Sequence, residues 1–221
     1  MQQTKSAHIP TVVYLSHGGG PLPLLGDPEH AELVENLKTI AASIEKPTAI
    51  VLVSAHWEAE KPTVTAGAMP TLIYDYYGFP EESYAIQYPA TGEPRLANKI
   101  ASLLRAKGID ADLDTERGFD HGLFVPLKIM YPEADIPCVQ LSLVKGLDPK
   151  EHIQIGEALA ELPQEGVLII GSGFSFHNLS AFFTSTTAES RSMNEAFEAW
   201  LIETCTDKNI DEEQRSALLE N

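Results

Sequence analysis

Four of the seven histidines in the sequence adjoin short apolar runs or glycine-containing turns, and these four are His17, His56, His121 and His177. Imidazole is the commonest protein ligand for divalent transition metals. Its unperturbed pKa also allows it to transfer protons near neutral pH. The four histidines therefore predict a metal site that can include acid–base chemistry.

The segments around these histidines are rich in small and aromatic residues. They read SHGGGP at 16–21, SAHWE at 54–58, FDHG at 119–122 and SFHN at 175–178. The aromatic residues in or near these segments are Trp57, Tyr76, Tyr77, Phe79, Phe119 and Phe176. Such residues usually pack in a core or a loop, but beside a metal they would suit a flat ring. We expect residues 74–88 to form part of the wall of a small-molecule pocket.

Other interpretations of these residues are weaker. His8, His30 and His152 lie in the polar N-terminus or on predicted helices, where an ordinary surface or structural role is expected. The glycine run 18–20 lacks the lysine of a phosphate-binding P-loop and the spacing of a dinucleotide fingerprint. Residues 171–175 (GSGFS) lack the second glycine of a nucleophile elbow, which argues against a serine hydrolase.

Short apolar strands alternate with amphipathic helices along the chain. The predicted strands, apolar on both faces and hence buried in a sheet, are residues 11–15, 49–54, 138–143 and 167–170. The predicted helices, with apolar residues three and four apart, are residues 30–42, 94–107, 149–162 and 190–205. This alternation predicts one α/β domain over residues 1–221, with a central mixed, largely buried sheet flanked by helices.

The strands explain how distant histidines meet. In open α/β sheets, ligands gather outside the carboxyl ends of the strands, so residues just past those ends share one crevice. Residues 75–92 have no clear period and are rich in Tyr, Pro and Gly, which predicts a long ordered loop. Long loops of this kind often carry function.

Composition excludes several classes of function. Acidic residues outnumber basic ones by 32 to 15, which gives a net charge of -17 and disfavours a nucleic-acid partner. The two cysteines, Cys138 and Cys205, lie far apart, which argues against a disulfide framework and favours a reducing compartment. Residues 1–8 lack an apolar signal-peptide core, and no run is long enough to span a bilayer. We expect a cytoplasmic protein without membrane association.

The histidine-bearing segments together resemble the 4,5-DOPA dioxygenase extradiol family. This family belongs to the class III extradiol ring-cleavage dioxygenases, which are related to the catalytic subunit of protocatechuate 4,5-dioxygenase. The resemblance covers residues 16–21, 55–58, 74–89, 118–126 and 171–178, in the family's order. An ordered set of this kind is far more specific than any single motif.

The resemblance implies a non-haem Fe(II) site whose ligands match His17 and His56. It places His177 in the same site as an acid–base group or an additional ligand, and His121 matches a second pocket histidine. For proton transfer, His177 is the first candidate and His121 the second. Zinc is known at the same position in the family, so the metal found in a preparation can differ from the catalytic one.

One departure from the family pattern concerns the C-terminus. The family continues to a His-Pro-containing segment whose histidine supplies a further metal ligand, and this sequence stops before it. Either the chain is truncated, or the site is completed by His177 or by a nearby carboxylate. We therefore list His17, His56 and His177 as the expected metal ligands.

The resemblance predicts an extradiol dioxygenase that cleaves the aromatic ring of a catechol-type, DOPA-like substrate with O2. A zinc-dependent hydrolase is one alternative, since the same histidines could activate water. A non-catalytic binding protein on the same fold is another, because a fold alone does not fix function.

Overall fold

The computed structural model of the chain describes residues 12–175 and 187–220. Within these ranges the strands are β1 (Val12–Ser16), β2 (Ala49–Ala59), β3 (Thr63–Thr65), β4 (Asp112–Asp114), β5 (Cys138–Val144) and β6 (Val167–Gly173). The α-helices are α1 (Ala31–Ser43), α2 (Pro94–Ala106), α3 (His121–Met130), α4 (Pro149–Ala158), α5 (Ala188–Thr206) and α6 (Glu212–Leu219). Short 3-10 turns occur at Leu22–Leu24, Pro28–His30, Glu81–Ala85 and Leu162–Glu165.

The six strands form one mixed sheet in the order β1-β6-β2-β5-β3-β4. Strands β1, β6, β2 and β5 are parallel, whereas β3 pairs antiparallel with β5 and parallel with β4. The carboxyl ends of β1, β6 and β2 therefore lie at the same edge of the sheet. This edge carries the candidate site.

Helices cover both faces of the sheet, so the domain has three layers. Along β2, Val51 packs into the core beneath α2 and α4, whereas its neighbours Ile50 and Leu52 pack into the core shared with α1 and α3. Successive side chains of a strand point to opposite faces, so a strand buried on both faces must be apolar throughout. The expected fold class is confirmed.

The helix boundaries follow the local capping chemistry. The Glu93 side chain accepts the Arg95 N–H at the start of α2, and the Asp148 side chain accepts the Lys150 N–H at the start of α4. Both helices carry proline in the first turn, where its missing N–H is harmless. The predicted helix 149–162 is divided, because α4 ends at Ala158 before the 3-10 turn Leu162–Glu165.

Two sequence-based expectations about the elements were wrong. The strand expected at 11–15 to lie in the middle of the sheet is at its edge, where Val12 and Tyr14 are 65% and 57% exposed. Helix α3 was not predicted, because it contains Gly122 and Pro126 and is buried nearly all round. A helix without a polar face has no 3.6-residue pattern to detect.

The C-terminal helices are much less buried than the sheet. Thr204 is the buried residue of α5, and α6 has none among its described side chains. Asp211 begins α6 with a capping box, in which its side chain accepts the Gln214 N–H and the Gln214 side chain accepts the Asp211 N–H. Within the described part of the chain, no helix combines the length and apolar character needed to cross a bilayer.

Candidate active site

His17 follows the last residue of β1 and enters a tight glycine turn. Gly18 has a φ of 82°, and a Cβ there would lie 2.4 Å from Cγ of Pro23, so both backbone conformation and space require glycine. The next amide, Gly19 N–H, donates to His30 Nε2 at 3.0 Å, and His30 Nδ1 lies 2.6 Å from Asp27 Oδ2. His30 thus fastens the turn that carries His17, a role that the sequence did not indicate.

His56 lies within β2 rather than after it. The pairing of β2 with β5 shifts register between Val53 and Glu58, so the ladder is irregular around His56, as at a β-bulge. Bulges reorient side chains and are frequent beside active sites. The strand therefore continues past the expected end at Ser54, and the irregularity turns His56 toward the crevice.

His121 is the first residue of α3, directly after the N-cap residue Asp120. Helix α3 packs against α1 and also contacts β2. Gly122 is needed here because a Cβ would lie 2.4 Å from Ser54 Oγ and 3.4 Å from Cδ2 of His56. The close approach of α3 to β2 is what brings His121 beside His56.

His17, His56 and His121, called here the histidine cluster, offer ligand atoms that all lie within 4.8 Å of one another. The Nε2 atoms of His17 and His56 are 3.0 Å apart, and the rings of His56 and His121 have centroids 4.0 Å apart. His17 is 1% exposed and His121 is 4% exposed. Two buried imidazoles and the half-buried His56 at such distances are typical of a metal site.

Hydrogen bonding sets the tautomer of His17. The Ser172 hydroxyl donates its single proton to the Gly122 carbonyl at 2.5 Å. The contact of 3.1 Å between His17 Nδ1 and Ser172 Oγ must then be donated by the imidazole. With its proton on Nδ1, His17 presents the lone pair of Nε2 to His56.

Asp75 orients His121 from the other side. Its Oδ1 accepts both the Nδ1–H of His121 at 2.7 Å and the backbone N–H of His121 at 3.0 Å, and its Oδ2 lies 3.7 Å from His56 Nδ1. Burial alone would raise the pKa of Asp75, but the hydrogen bonds from His121 and the nearby imidazoles outweigh it, so the pKa lies below its ordinary value. An ionised Asp75 is the acceptor that the Nδ1–H tautomer of His121 requires.

The donor set fits a divalent transition metal. Two nitrogens on one ion with bonds of about 2.1 Å and an angle of about 90° are about 3.0 Å apart, as His17 Nε2 and His56 Nε2 are. Such nitrogens can be at most about 4.2 Å apart, whereas the three-histidine group extends over as much as 4.8 Å. His17 and His56 are therefore the best-placed pair of ligands, with His121 beside them.

A second set of polar side chains, called here the buried polar network, supports the cluster from beneath. It consists of Ser54, Asp120, Gln140 and Arg117. Asp120 Oδ1 accepts from Ser54 Oγ at 2.7 Å, while Oδ2 accepts from Gln140 Nε2 and from Arg117 at 3.2 Å. Burial raises the pKa of Asp120 despite these hydrogen bonds. Ser54 Oγ in turn accepts the backbone N–H of His56 at 3.2 Å, which connects the network to the histidine cluster.

Aromatic residues of the loop 75–92 form one wall beside the histidines. The ring of Tyr76 is 5.7 Å from that of His121 and 5.5 Å from that of Phe79, and Phe79 packs against Gly20. Burial, followed by the neighbouring Tyr74, raises the pKa of Tyr76 to about 12, and its hydroxyl donates to the Ser83 carbonyl at 2.6 Å. Asp75 and Tyr76 thus lie beside the histidine cluster, and the expectation that residues 74–88 form a pocket wall stays a prediction.

Not all the singled-out aromatic residues reach this wall. Tyr77 is 92% exposed, Phe119 is fully buried in the core, and Trp57 packs under the guanidinium of Arg117 at 4.3 Å. Phe174, which was not singled out, lies with its ring 5.2 Å from that of His17. Phe176 lies outside the described residues.

Three of the four predicted histidines are thus brought together, and His177 lies outside the described residues. No sequence pattern indicated the residues that hold the cluster, namely His30, Ser54, Asp75, Asp120, Gln140 and Ser172. Asp75 was inside a segment marked for function, and Asp120 precedes His121, so adjacency was an available signal for both. Nothing in the sequence pairs Ser172 with His17.

Comparison with known proteins gives a consistent result. The family described as "Catalytic LigB subunit of aromatic ring-opening dioxygenase" matches residues 2–215. The chain is 49% identical over 179 residues to dioxygenase tasH of Hapsidospora irregularis, covering 77% of this chain and 55% of that protein. It is 43% identical over 171 residues to 4,5-DOPA dioxygenase extradiol of Beta vulgaris, covering 77% and 63%.

The chain therefore spans less than two thirds of the length of these two relatives. Among solved structures, an uncharacterized protein of Escherichia coli K12 is similar with a TM-score of 0.63 and 30% sequence identity, covering 85% of this chain and 80% of that one. The match over nearly the whole chain shows that this protein belongs to the family of the catalytic LigB subunit of aromatic ring-opening dioxygenase.

Proposed function

We propose that this protein is a non-haem, metal-dependent extradiol dioxygenase that opens the ring of a catechol-type substrate with O2. The observation that carries the proposal is the 3.0 Å approach of His17 Nε2 to His56 Nε2, with His121 alongside. The relatives named as dioxygenases, including 4,5-DOPA dioxygenase extradiol, support a catechol with a DOPA-like side chain as the substrate.

His17 and His56 are the residues that would hold the metal. Bound Fe(II) would supply the redox chemistry by which O2 reacts with the ring, and few protein ligands leave positions for substrate and O2. Ser172 keeps the proton of His17 on Nδ1, so the Nε2 lone pair is available without a change of tautomer. Zinc fits the same nitrogens and is the alternative occupant.

The chain's own residues also position the ring and move protons. Tyr76 and Phe79 provide an apolar wall of the size and shape that a flat ring packs against. His121, with its proton on Nδ1 held by Asp75, presents Nε2 as a base for a substrate hydroxyl. Ring opening then breaks the bond between a hydroxyl-bearing carbon and its unsubstituted neighbour, and both atoms of O2 enter the product.

His177 stays a prediction from the resemblance, either as a further ligand or as a second proton carrier. We also propose a reducing compartment for the protein. Both cysteines are free, Cys138 buried and Cys205 exposed, which fits a reducing compartment such as the cytoplasm.

Oxygen consumption tests the proposal. Protein purified without oxygen is loaded with Fe(II) or with Zn(II), and O2 uptake is measured with L-DOPA and with its dimethyl ether, which has no free hydroxyls. The proposal predicts one O2 consumed per L-DOPA, iron dependence, no reaction with the ether, and both oxygen atoms in the product. Metal-dependent ester hydrolysis without O2 uptake would instead indicate the zinc hydrolase.

A further inference from the structure

Asp75 contacts the histidine cluster from the side opposite to His17. Its side chain is 21% exposed, and it reaches His121 through a 2.7 Å contact to Nδ1 and a 3.0 Å contact to the backbone N–H. Both contacts use Oδ1, while Oδ2 lies 3.7 Å from His56 Nδ1, beyond hydrogen-bond distance. The carboxylate therefore faces the Nδ1 side of both imidazoles, whereas His17 approaches His56 at Nε2.

We propose that Asp75 is a positioning residue that fixes the Nδ1–H tautomer and the ring orientation of His121, so that His121 Nε2 faces the substrate. The inference deepens the proposed function, on which it rests. Neutral imidazole carries one N–H proton, on either Nδ1 or Nε2. A strong acceptor beside Nδ1 favours the tautomer with the proton on Nδ1. Without that acceptor, a proton on Nε2 would prevent His121 from accepting one from a substrate hydroxyl.

The geometry argues against Asp75 as a metal ligand itself. A carboxylate that bound the ion with His17 and His56 would have to lie near their Nε2 atoms, but its nearest contact to His56 is at Nδ1. Asp75 also accepts the first backbone N–H of α3, so one oxygen fastens both the helix end and the ring it carries. This double contact leaves His121 little freedom to rotate.

The chain contains a matched control for this pair. His30 also contacts an aspartate through Nδ1, at 2.6 Å from Asp27 Oδ2, but its Nε2 accepts the Gly19 N–H and is not part of the histidine cluster. Replacing Asp27 thus removes an equivalent carboxylate from an equivalent imidazole. Any effect of an Asp75 variant that Asp27→Ala reproduces at His121 would not be specific to Asp75.

Imidazole nitrogen NMR of the metal-free protein reads the tautomer directly. Long-range proton–nitrogen spectra are recorded for the wild type, Asp75→Asn, Asp75→Ala and Asp27→Ala, with His121→Gln to assign the His121 signals. We expect His121 as the Nδ1–H tautomer in the wild type and in Asp27→Ala, and a mixture or the Nε2–H tautomer in both Asp75 variants. An unchanged His121 tautomer in Asp75→Asn and Asp75→Ala would overturn the proposal.

Kinetics of the iron-loaded protein provide the second readout. Outer-shell partners of site histidines typically contribute about 10-fold to 100-fold, so Asp75→Asn should lower kcat by that factor. KM and bound iron per chain should stay unchanged, because His17 and His56 hold the metal. Asn retains an oxygen and fits the same space. The kcat of Asp75→Asn can therefore be measured even if Asp75→Ala does not fold. A wild-type kcat in Asp75→Asn would contradict the proposal.

The two readouts separate this inference from the proposed function. If the iron-loaded wild type consumes no O2 with any catechol, the proposed function fails, while the tautomer measurement still decides the role of Asp75. If the wild type is active and the tautomer does not depend on Asp75, the inference fails alone.

Discussion

The histidine cluster and the buried polar network beneath it both consist of buried and half-buried polar side chains, but their hydrogen bonding differs. In the network, Asp120 accepts from Ser54, Gln140 and Arg117, so its charge is matched within the protein. In the cluster, the outer nitrogens are engaged by Ser172 and Asp75, and the Nε2 atoms of His17 and His56 face each other. A buried carboxylate that is matched by donors within the protein stabilises the fold, whereas nitrogens that converge on one point are arranged to bind something.

The largest expected effect is the loss of metal in His17→Ala and His56→Ala. Each variant removes one of two nitrogens placed 3.0 Å apart, and the other cannot hold the ion alone. We expect iron per chain near zero by elemental analysis, no O2 uptake, and a retained cooperative unfolding transition. His152→Gln, on α4 at the opposite face of the sheet, should keep its iron. Full iron content in both alanine variants would end the metal-site interpretation.

The variant His177→Ala tests whether His177 belongs to the histidine cluster, as the resemblance to the dioxygenase family implies. A general acid or base typically contributes about 100-fold to 10,000-fold in rate. Bound iron and catechol-dependent O2 uptake are measured on the same iron-loaded sample. Iron kept with activity lost assigns proton transfer, whereas iron and activity lost together assign a ligand. Activity within a few-fold of the wild type would remove His177 from the mechanism.

Asp120→Ala tests the network, where the main effect should be on stability. Removing the buried Asp120 leaves the donors of Gln140 and of the half-buried Arg117 without their acceptor, and breaking such a pair costs up to about 3–5 kcal/mol. The urea midpoint should fall accordingly. Asp112→Ala, which removes an exposed partner of Lys61, should leave the midpoint almost unchanged. Equal midpoints for the two variants would contradict the contrast between network and cluster.

Ser172→Ala is expected to have the smallest effect, because it changes the tautomer of His17 without removing a ligand. Losing the acceptor at Nδ1 should weaken metal binding by about 10-fold to 100-fold, with little change in the urea midpoint. The measurement is competition with a chelator of known affinity. Ser142→Ala is the control, because Ser142 is also a buried strand serine but accepts the Thr63 N–H. An unchanged affinity in Ser172→Ala would show that His17 does not need this partner.

Sequence patterns were sufficient to predict the helices and strands whose apolar residues form a continuous run or recur at a regular spacing. Strands β2, β5 and β6 are apolar runs, and α1 and α2 have clear apolar faces, so their existence and approximate bounds were predicted. Helix α3 is buried nearly all round and contains Pro126, so it has no such pattern. Strands β3 and β4 have three residues each, too short to show alternation.

The candidate site was likewise predictable only in part. Histidines beside strand ends indicated the cluster, because the topology of a parallel sheet brings those ends together. The partners that set their tautomers could not be found, since Ser172 meets His17 across 155 positions and Asp75 meets His121 across 46. Such contacts depend on the packing of α3 and of the loop 75–92 against the sheet. Only the folded geometry specifies them.

The central claim is that His17 and His56 hold one metal ion between them, and anomalous diffraction from anaerobic, iron-loaded crystals tests it most directly. Data collected on both sides of the iron edge locate the ion without assumptions about its ligands. The account predicts one peak per chain, about 2.1 Å from Nε2 of each histidine, with His121 adjacent and Asp75 not coordinated. A peak away from both Nε2 atoms, or no peak in protein that contains stoichiometric iron, would contradict it.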